Sequence, residues 1–296
     1  MATPISRRTV VAAGVAALCA LGGTPLLLKR SRATASGVWF AGSSPEASLQ
    51  PTADTKVALD ISTLDPAKLV KVDTKAWYNW ALMDRSTGAI LGSANMHETN
   101  RVCSMIKPWI AADYMRLVKN PSKSRQADIE TMIRDSDSVS ATSILNELGR
   151  LKTFTRLKTT CATTDFTPLN SWDHQTISAV DTCRVADTIA DAKVCSPEWT
   201  TWLLGLMRSV RNGTWGVRMA FPVGLYGTIA IKNGWDVTFA TSTYHANCLA
   251  VHDKWAMAVL TRYPTKLHSD EAYGAGVAES VARQLLQSSE LRSLFA

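Results

Sequence analysis

The amino-acid sequence predicts a mixed α/β (α+β) fold, in which an antiparallel sheet built from N- and C-terminal strands carries flanking helices and a helical lobe. Strand-like apolar stretches separated by turn signals occur at 76–96 and again at 227–261. The residues between them show helical periodicity. Strands from both ends of the chain can therefore pair in one sheet around a helical middle. The chain has 296 residues, of which 46% are hydrophobic, enough for a sizeable core.

The individual elements follow in order along the chain. Strands are predicted at 76–83 and 89–96, and later at 227–231, 244–251 and 255–261. Helices are predicted over 104–119, 126–150 (one or two segments), 177–190, 197–210 and 270–294. Ser269 is the expected N-cap of the last helix, and the Thr-rich stretch 153–171 is expected to be irregular.

The first 35 residues have the pattern of an export signal. Arg7 and Arg8 stand in a twin-arginine-like motif, an apolar run follows, and Ala33-Thr-Ala35 is a small-x-small cleavage site. We therefore expect residues 1–35 to be a twin-arginine-type signal peptide and the protein to be secreted or placed in the cell envelope. The alternative is an uncleaved membrane anchor. Residues 36–70 are predicted to be a linker, and 71–296 the folded domain.

Charge and motif content exclude several functions. The net charge of +7 includes five basic residues and no acid within 1–35, which leaves +2 for the remainder. A basic groove for nucleic acid is therefore not expected. The five histidines lack metal-ligand spacing, and no phosphate loop, His-Glu-x-x-His or Gly-x-Ser-x-Gly motif is present. We predict no metal and no cofactor.

The expected export of the protein determines whether its cysteines are expected to form disulfides. Five lie after the signal: Cys103, Cys161, Cys183, Cys195 and Cys248. One or two disulfides are expected outside the cytoplasm, and their pairing does not follow from spacing. Burial of each as a small apolar side chain is the alternative. A bond between Cys103 and Cys248 is one hypothesis.

Ser104-Met-Ile-Lys107 is the motif with the best chemical setting. Pro108 is tolerated only in the first turn of a helix, which places Ser104 near a helix start. Residues three apart share a helix face, so the Lys107 amine is expected to reach the Ser104 hydroxyl. A serine nucleophile needs a neighbouring base, and a buried lysine with a lowered pKa can serve.

Two further motifs follow in order. They are Ser136-Asp-Ser138 before an apolar helix, and Lys232-Asn-Gly234-Trp235 near the late strands. With Ser104-x-x-Lys107, the chain resembles the penicillin-recognising serine hydrolases, the superfamily of class A β-lactamases and DD-peptidases, over about residues 72–296. The resemblance implies a β-lactamase-like fold and acyl-serine chemistry on an amide, either a β-lactam or a peptide of the D-Ala-D-Ala type.

The resemblance also implies roles for individual residues. Ser104 would be the acylated nucleophile, Lys107 its base, and Ser136 a proton relay to the leaving nitrogen. The substrate would be bound by Ser138, Lys232, Asn233, Gly234 and Trp235. Lys232 would hold a carboxylate with help from Asn233, and the N–H groups of Ser104 and Trp235 would form the oxyanion hole.

Three departures from the family pattern bear on turnover. Ser138 stands where the family has Asn, and Asn233 where it has Thr or Ser. Phe166 occupies the place of the Glu that drives deacylation in class A β-lactamases, and the nearby Asp165 and Asp173 are out of register. Hydrolysis of an acyl-enzyme is therefore expected to be slow.

Three functions are thus compared. The first is an exported serine hydrolase, with a transacylase that passes the acyl group to an amine as its variant. The second is a binding protein that has kept the fold and lost turnover, and the third is a structural envelope domain. A hydrolase predicts that Lys107, Ser136 and Lys232 converge on Ser104. Its partners would be a small molecule or peptide, including cell-wall peptide, and a monomer is expected.

Overall fold

The computed structural model describes residues 60–172 and 174–296. Its strands are β1 (Trp77–Asp84), β2 (Ile90–Gly92), β3 (Thr99–Arg101), β4 (Thr176–Ser178), β5 (Ala230–Ile231), β6 (Gly234–Thr238), β7 (Thr243–Val251) and β8 (Trp255–Pro264). Its helices are α1 (Pro66–Leu69), α2 (Lys107–Leu117), α3 (Lys123–Arg134), α4 (Ser138–Leu148), α5 (Arg150–Thr160), α6 (Ala179–Ala190), α7 (Pro197–Arg208), α8 (Ala272–Gln287) and α9 (Arg292–Phe295).

The main sheet joins the two ends of the domain, as the sequence predicted. Its order is β2-β1-β8-β7-β5, β6 also pairs with β7, and every pairing is antiparallel. Successive residues of the central strands face opposite sides, so Ala258 packs into one apolar cluster and Val259 into another. The sheet is therefore covered on both faces, by α6 on one and α8 on the other. The predicted mixed fold is confirmed.

The helical lobe is built around α2. Every residue from Lys107 to Met115 is buried, which is the pattern of a helix enclosed on all sides. Helices α3, α4, α5 and α7 contribute apolar side chains to the same cluster. A small second sheet, β3 paired with β4, lies just before the turn that leads into α2. This arrangement fixes the start of α2 between the lobe and the main sheet.

The stretch predicted to be irregular contains a helix, α5. Its side chains Phe154 and Leu157 are fully buried, so packing outweighs the weak helix propensity of threonine. Thr155 and Thr159 point outward and donate their hydroxyls to carbonyls one turn earlier. The prediction of an irregular segment was wrong for residues 153–160, where tertiary burial decided the structure, and is confirmed for 161–171, which form neither helix nor strand.

Two boundary predictions also differ from the structure. Residues 60–70, predicted as linker, place Ile61 and Val70 in the core beside Trp80, so the folded part extends to at least Asp60. The final helix begins at Ala272 after Glu271 rather than being capped by Ser269, and it ends at Gln287 before the separate α9. The predicted signal peptide and the linker up to residue 59 lie outside the described residues.

A buried carboxylate on α6 organises the loop between α5 and β4. Asp181 accepts hydrogen bonds from the backbone N–H groups of Thr164, Asp165 and Phe166 at 3.0, 2.7 and 2.9 Å. Arg184 donates to the same carboxylate at 2.9 Å. The side chain of Asp181 is inaccessible to solvent, so these bonds replace all of its hydration.

We expect Asp181→Ala to lower the free energy of unfolding by about 3 kcal/mol, because three backbone N–H groups and Arg184 lose their buried partner. Urea denaturation followed by circular dichroism measures this change. The control is Asp128→Ala, since Asp128 forms only an exposed pair with Arg125 on α3; its cost is expected to stay below about 1 kcal/mol. Equal costs for the two variants would contradict this role of Asp181.

Candidate functional site

Ser104 lies in a short 3-10 turn, Cys103–Ile106, that runs directly into α2. Pro108 occupies the first turn of α2, where its missing N–H costs nothing. Cys103 adopts a left-handed backbone with φ of 48°, a conformation that is unfavourable for a residue with a side chain. The turn presents Ser104, which is 9% exposed, to a small cavity.

Gly234 brings strand β6 into backbone contact with this turn. A Cβ at position 234 would lie 2.7 Å from the Ser104 nitrogen, 2.8 Å from that of Met105 and 2.9 Å from the Val102 oxygen. Any side chain would force the turn and the strand apart. The glycine of the Lys-x-Gly motif is therefore required by close approach of two backbones.

Two backbone N–H groups border the cavity beside Ser104. Lys232 donates its N–H to the Leu249 carbonyl at 3.0 Å, and the pairing continues with Gly234 opposite Asn247. Alternate residues of an antiparallel strand bond to the same neighbour, so the N–H of Trp235 points away from β7. Among the described residues, none accepts a hydrogen bond from the Ser104 N–H. Two such donors can bind a developing oxyanion.

Lys107 is fully buried and bonded to the loop before α4. Its Nζ donates to the Ser136 carbonyl at 2.6 Å and lies 3.4 Å from the Ser136 hydroxyl and 3.3 Å from that of Ser138. The ring centre of Trp172 lies 5.4 Å from the same nitrogen. Burial lowers the pKa of Lys107 to about 8, although the nearby Asp137 opposes this shift.

Ser136 lies between Lys107 and a second buried lysine. Lys232, which is 1% exposed, donates from Nζ to the Ser136 hydroxyl at 2.8 Å and to the Asn233 carbonyl at 3.1 Å. Burial, with the charge of Lys107, holds the pKa of Lys232 well below its ordinary value. Because the Ser136 oxygen accepts from Lys232, its own proton is available to a third group.

The structure brings most of the sequence-predicted residues together, with two exceptions. No hydrogen bond joins the Ser104 hydroxyl to Lys107, because the three donors of that amine already face the Ser136–Ser138 loop. Asn233 points to the other side of β6, where its amide donates to the carbonyls of Gly213 and Trp215 at 2.9 and 2.6 Å. Asn233 thus anchors a neighbouring loop.

The cavity in front of Ser104 has a volume of about 160 Å³. Its lining comprises Arg101, Cys103, Ser104, Ser138, Trp172, Trp235 and Asp236. Trp109 is buried in the lobe and donates to the Thr153 carbonyl at 3.1 Å. Sites for drug-sized ligands usually enclose 300–1,000 Å³, so the cavity accommodates the reacting group rather than a whole ligand.

Sequence reasoning missed Arg101 and Asp236. The sequence predicted no strand between residues 231 and 244, whereas Gly234–Thr238 form β6. Asp236 is two residues after Gly234 and therefore on the same face of the strand. That alternation was the available signal, and it required knowing that the strand continued.

A carboxylate corresponding to the deacylating glutamate is missing from the described part of the loop before β4. Phe166 is buried and packs edge-on against Phe154. Asp165 bonds to His97 at 2.9 Å. Asp173 lies outside the described residues. Asp236 is thus the one carboxylate among the described residues that line the cavity.

All five cysteines of the described chain are free and buried. Cys103 lies beside the nucleophile turn and Cys248 in the cluster covered by α8, and they are not bonded. The hypothesis of a Cys103–Cys248 disulfide is therefore wrong for this structure, and the cysteines act as small apolar side chains. Burial raises the pKa of both thiols to about 12, so neither is a ready nucleophile.

The described residues contain no group of three or more acidic, His or Cys side chains able to hold a metal ion. Among the helices of residues 60–172 and 174–296, none is both long and apolar enough to span a bilayer.

Comparison with known proteins supports the fold. No protein-family model and no curated protein sequence matches the chain. Solved structures do match: PBP-A has 16% identity and a TM-score of 0.58, covering 75% of this chain and 93% of its own. An ancestral class A β-lactamase (GNCA) has 15% identity and a TM-score of 0.58, covering 72% and 94%.

A β-lactamase from Xanthomonas campestris pv. campestris matches with 14% identity and a TM-score of 0.57, over 75% of this chain and 93% of its own. At these identities the likeness concerns the fold. Together with the order of the elements, it shows that the described part of the chain has the fold of the penicillin-recognising serine hydrolases.

Proposed function

We propose that the protein is an active-site-serine hydrolase that cleaves an amide, either a β-lactam or a D-Ala-D-Ala-like peptide, through an acyl-serine intermediate. One observation carries the proposal: Ser104 borders a small cavity beside two buried lysines that share the hydroxyl of Ser136. Two buried lysine amines around one hydroxyl are costly and serve no evident packing purpose. An acyl-transfer site uses both.

The chemical step is assigned to these residues as follows. Neutral Lys107 takes the proton of Ser104 as the Ser104 oxygen bonds to the substrate carbonyl carbon. The N–H groups of Ser104 and Trp235 bind the oxyanion. Breakdown of the tetrahedral species breaks the C–N bond, and Ser136 protonates the leaving nitrogen while Lys107 returns a proton to Ser136.

Two features of the site support this assignment. The pKa of Lys107, lowered to about 8 by burial, provides neutral amine at neutral pH. Lys232 donates to the Ser136 hydroxyl at 2.8 Å and, when protonated, can attract an anionic substrate group. For acylation, Lys107 must leave the Ser136 carbonyl and turn toward Ser104, a rearrangement that substrate binding can drive.

Release of the acyl group is expected to be slow. Phe166 is buried at the place of the usual base, so water near the ester has no obvious activating carboxylate there. The same feature favours a transacylase that transfers the acyl group to an amine. It also fits a binding protein without turnover, which the unbonded Ser104 hydroxyl would support.

A penicillin is the first probe of this proposal. We expect benzylpenicillin to add its mass to the protein at Ser104 and to leave slowly, whereas Ser104→Ala forms no adduct. Time-resolved intact mass spectrometry follows both events, and peptide mapping locates the adduct. A fluorophosphonate serves as a second serine probe. Absence of adducts with both probes on folded protein would favour the binding protein, and rapid loss of the adduct would indicate an efficient hydrolase.

The acylation rate should depend on pH through Lys107. Since the base must be neutral and its pKa is lowered to about 8, the rate should rise with pH and level off above about 8. Lys232 must be charged to hold an anion, so the rate should fall where its amine loses its proton, which burial shifts below the ordinary pKa of a lysine. Stopped-flow acylation between about pH 6 and 10 measures both limbs.

Two variants distinguish the contribution of Lys107 to the pH profile from that of Lys232. Lys107→Ala should slow acylation by about 100-fold or more, the usual contribution of a general base. Lys232→Arg keeps its charge at high pH, so the rise should persist and the fall should vanish. A flat profile in the unmodified protein would exclude Lys107 as the base.

We also propose that the protein is exported by the twin-arginine route, supported by Arg7, Arg8 and the apolar run that follows. Changing Arg7 and Arg8 together to Lys should retain the protein in the cytoplasm, and fractionation of the producing cells measures this. Changing Lys29 and Arg30 instead is the control, with export expected to continue. Equal export of both variants would exclude this route.

A further inference from the structure

Strand β6 carries a charged residue on the face it turns toward the nucleophile. Side chains alternate along a strand, so Lys232, Gly234 and Asp236 share one face. Gly234 meets Ser104 directly. Lys232 and Asp236 therefore lie on opposite sides of the reacting position, separated by about 13 Å at 3.3 Å per residue.

Asp236 is held firmly, and part of its carboxylate is available. Arg101 donates to its Oδ2 at 3.0 Å and to the Thr238 hydroxyl at 2.9 Å, which ties the guanidinium to the strand. Among the described residues, none donates a hydrogen bond to Oδ1 of Asp236. The Asp236 side chain is 50% exposed against 17% for Arg101, so the carboxylate is the more accessible member of the pair.

The cleft is electrostatically asymmetric about Ser104. On one side lie Lys107, Lys232 and the Ser136 hydroxyl, which in the proposed mechanism serve the leaving nitrogen and an anionic group beyond it. The acyl part of the substrate must then extend toward the other side, where Asp236 lies. The neighbouring His245 is uncharged at neutral pH, because burial lowers its pKa to about 4.

We propose that Asp236 is a specificity-determining residue that binds an ammonium group on the acyl part of the substrate. The proposal rests on the proposed acyl-serine function and narrows it to amides with an amine close to the scissile carbonyl on the acyl side. The ammonium would donate to Oδ1 of Asp236, while Arg101 keeps the carboxylate in place through Oδ2.

Three penicillins that differ only in the charge of the acyl side chain test this proposal. Ampicillin carries an ammonium, benzylpenicillin is neutral, and carbenicillin carries a carboxylate. Second-order rate constants of acylation are measured for each at about pH 6.5, where an α-amino group is mostly protonated. We expect ampicillin to react about fivefold faster than benzylpenicillin, a factor that corresponds to one partly exposed ion pair. Carbenicillin should react most slowly.

Two variants test whether Asp236 causes the preference for ampicillin over benzylpenicillin. In Asp236→Asn the ratio of ampicillin to benzylpenicillin should fall to about one, whatever the absolute rates. Asp128→Asn, which removes an exposed carboxylate of α3, should retain the ratio of the unmodified protein. The preference should also weaken with added salt.

The outcomes separate this inference from the proposed function. If none of the penicillins acylates Ser104, the hydrolase proposal fails first. If all three acylate at equal rates, or carbenicillin is preferred, acylation stands and the role of Asp236 is excluded. An Asp236→Asn variant that leaves the ratio unchanged would likewise exclude ammonium binding.

Discussion

The contact between Gly234 and the Ser104 turn is the constraint on which the site depends. It is backbone against backbone, with Ser104, Met105 and Val102 all within 3 Å of where a side chain would begin. This contact sets the distance between the main sheet and the helical lobe. It also places the N–H groups of Ser104 and Trp235 on one cavity. A methyl group at position 234 would push the strand away from the turn. The two donors would then lie too far apart for acyl transfer.

The same close contact brings the two buried lysines together. Lys107 reaches the site from α2 and Lys232 from the residues that join β5 to β6, so the close approach of strand and helix brings two amines around Ser136. Burial and mutual repulsion both disfavour the ammonium form of Lys232, and burial does so for Lys107. Among the described residues, no acidic side chain is bonded to either amine. The fold therefore favours the neutral form of these lysine side chains. Neutral amine is the form that a serine nucleophile requires.

How much the sequence could predict depended on the range of each interaction. Ser104, Lys107, Ser136 and Lys232 belong to short motifs, and the order of these motifs, which resembles that of a known family, predicted that they lie together. The partners of Asn233 and the continuation of β6 through Asp236 depend on residues distant in sequence. Helix α5 was missed for the same reason, since burial of Phe154 and Leu157 against other helices outweighs the threonines. Local chemistry was therefore predictable, and tertiary placement was not.

In the proposed mechanism, the shape of the cleft affects both the slow release of the acyl group and the choice of substrate. With Phe166 turned into the core, the loop before β4 contributes Trp172 to the cavity wall. The acyl side of the cleft is then bounded by Trp172, Trp235 and the Asp236 carboxylate paired with Arg101. Such a wall can hold an acyl group by aromatic contact and one charge, while offering little to activate water. Under the proposed function, such a site would retain its acyl group until a better nucleophile than water arrives.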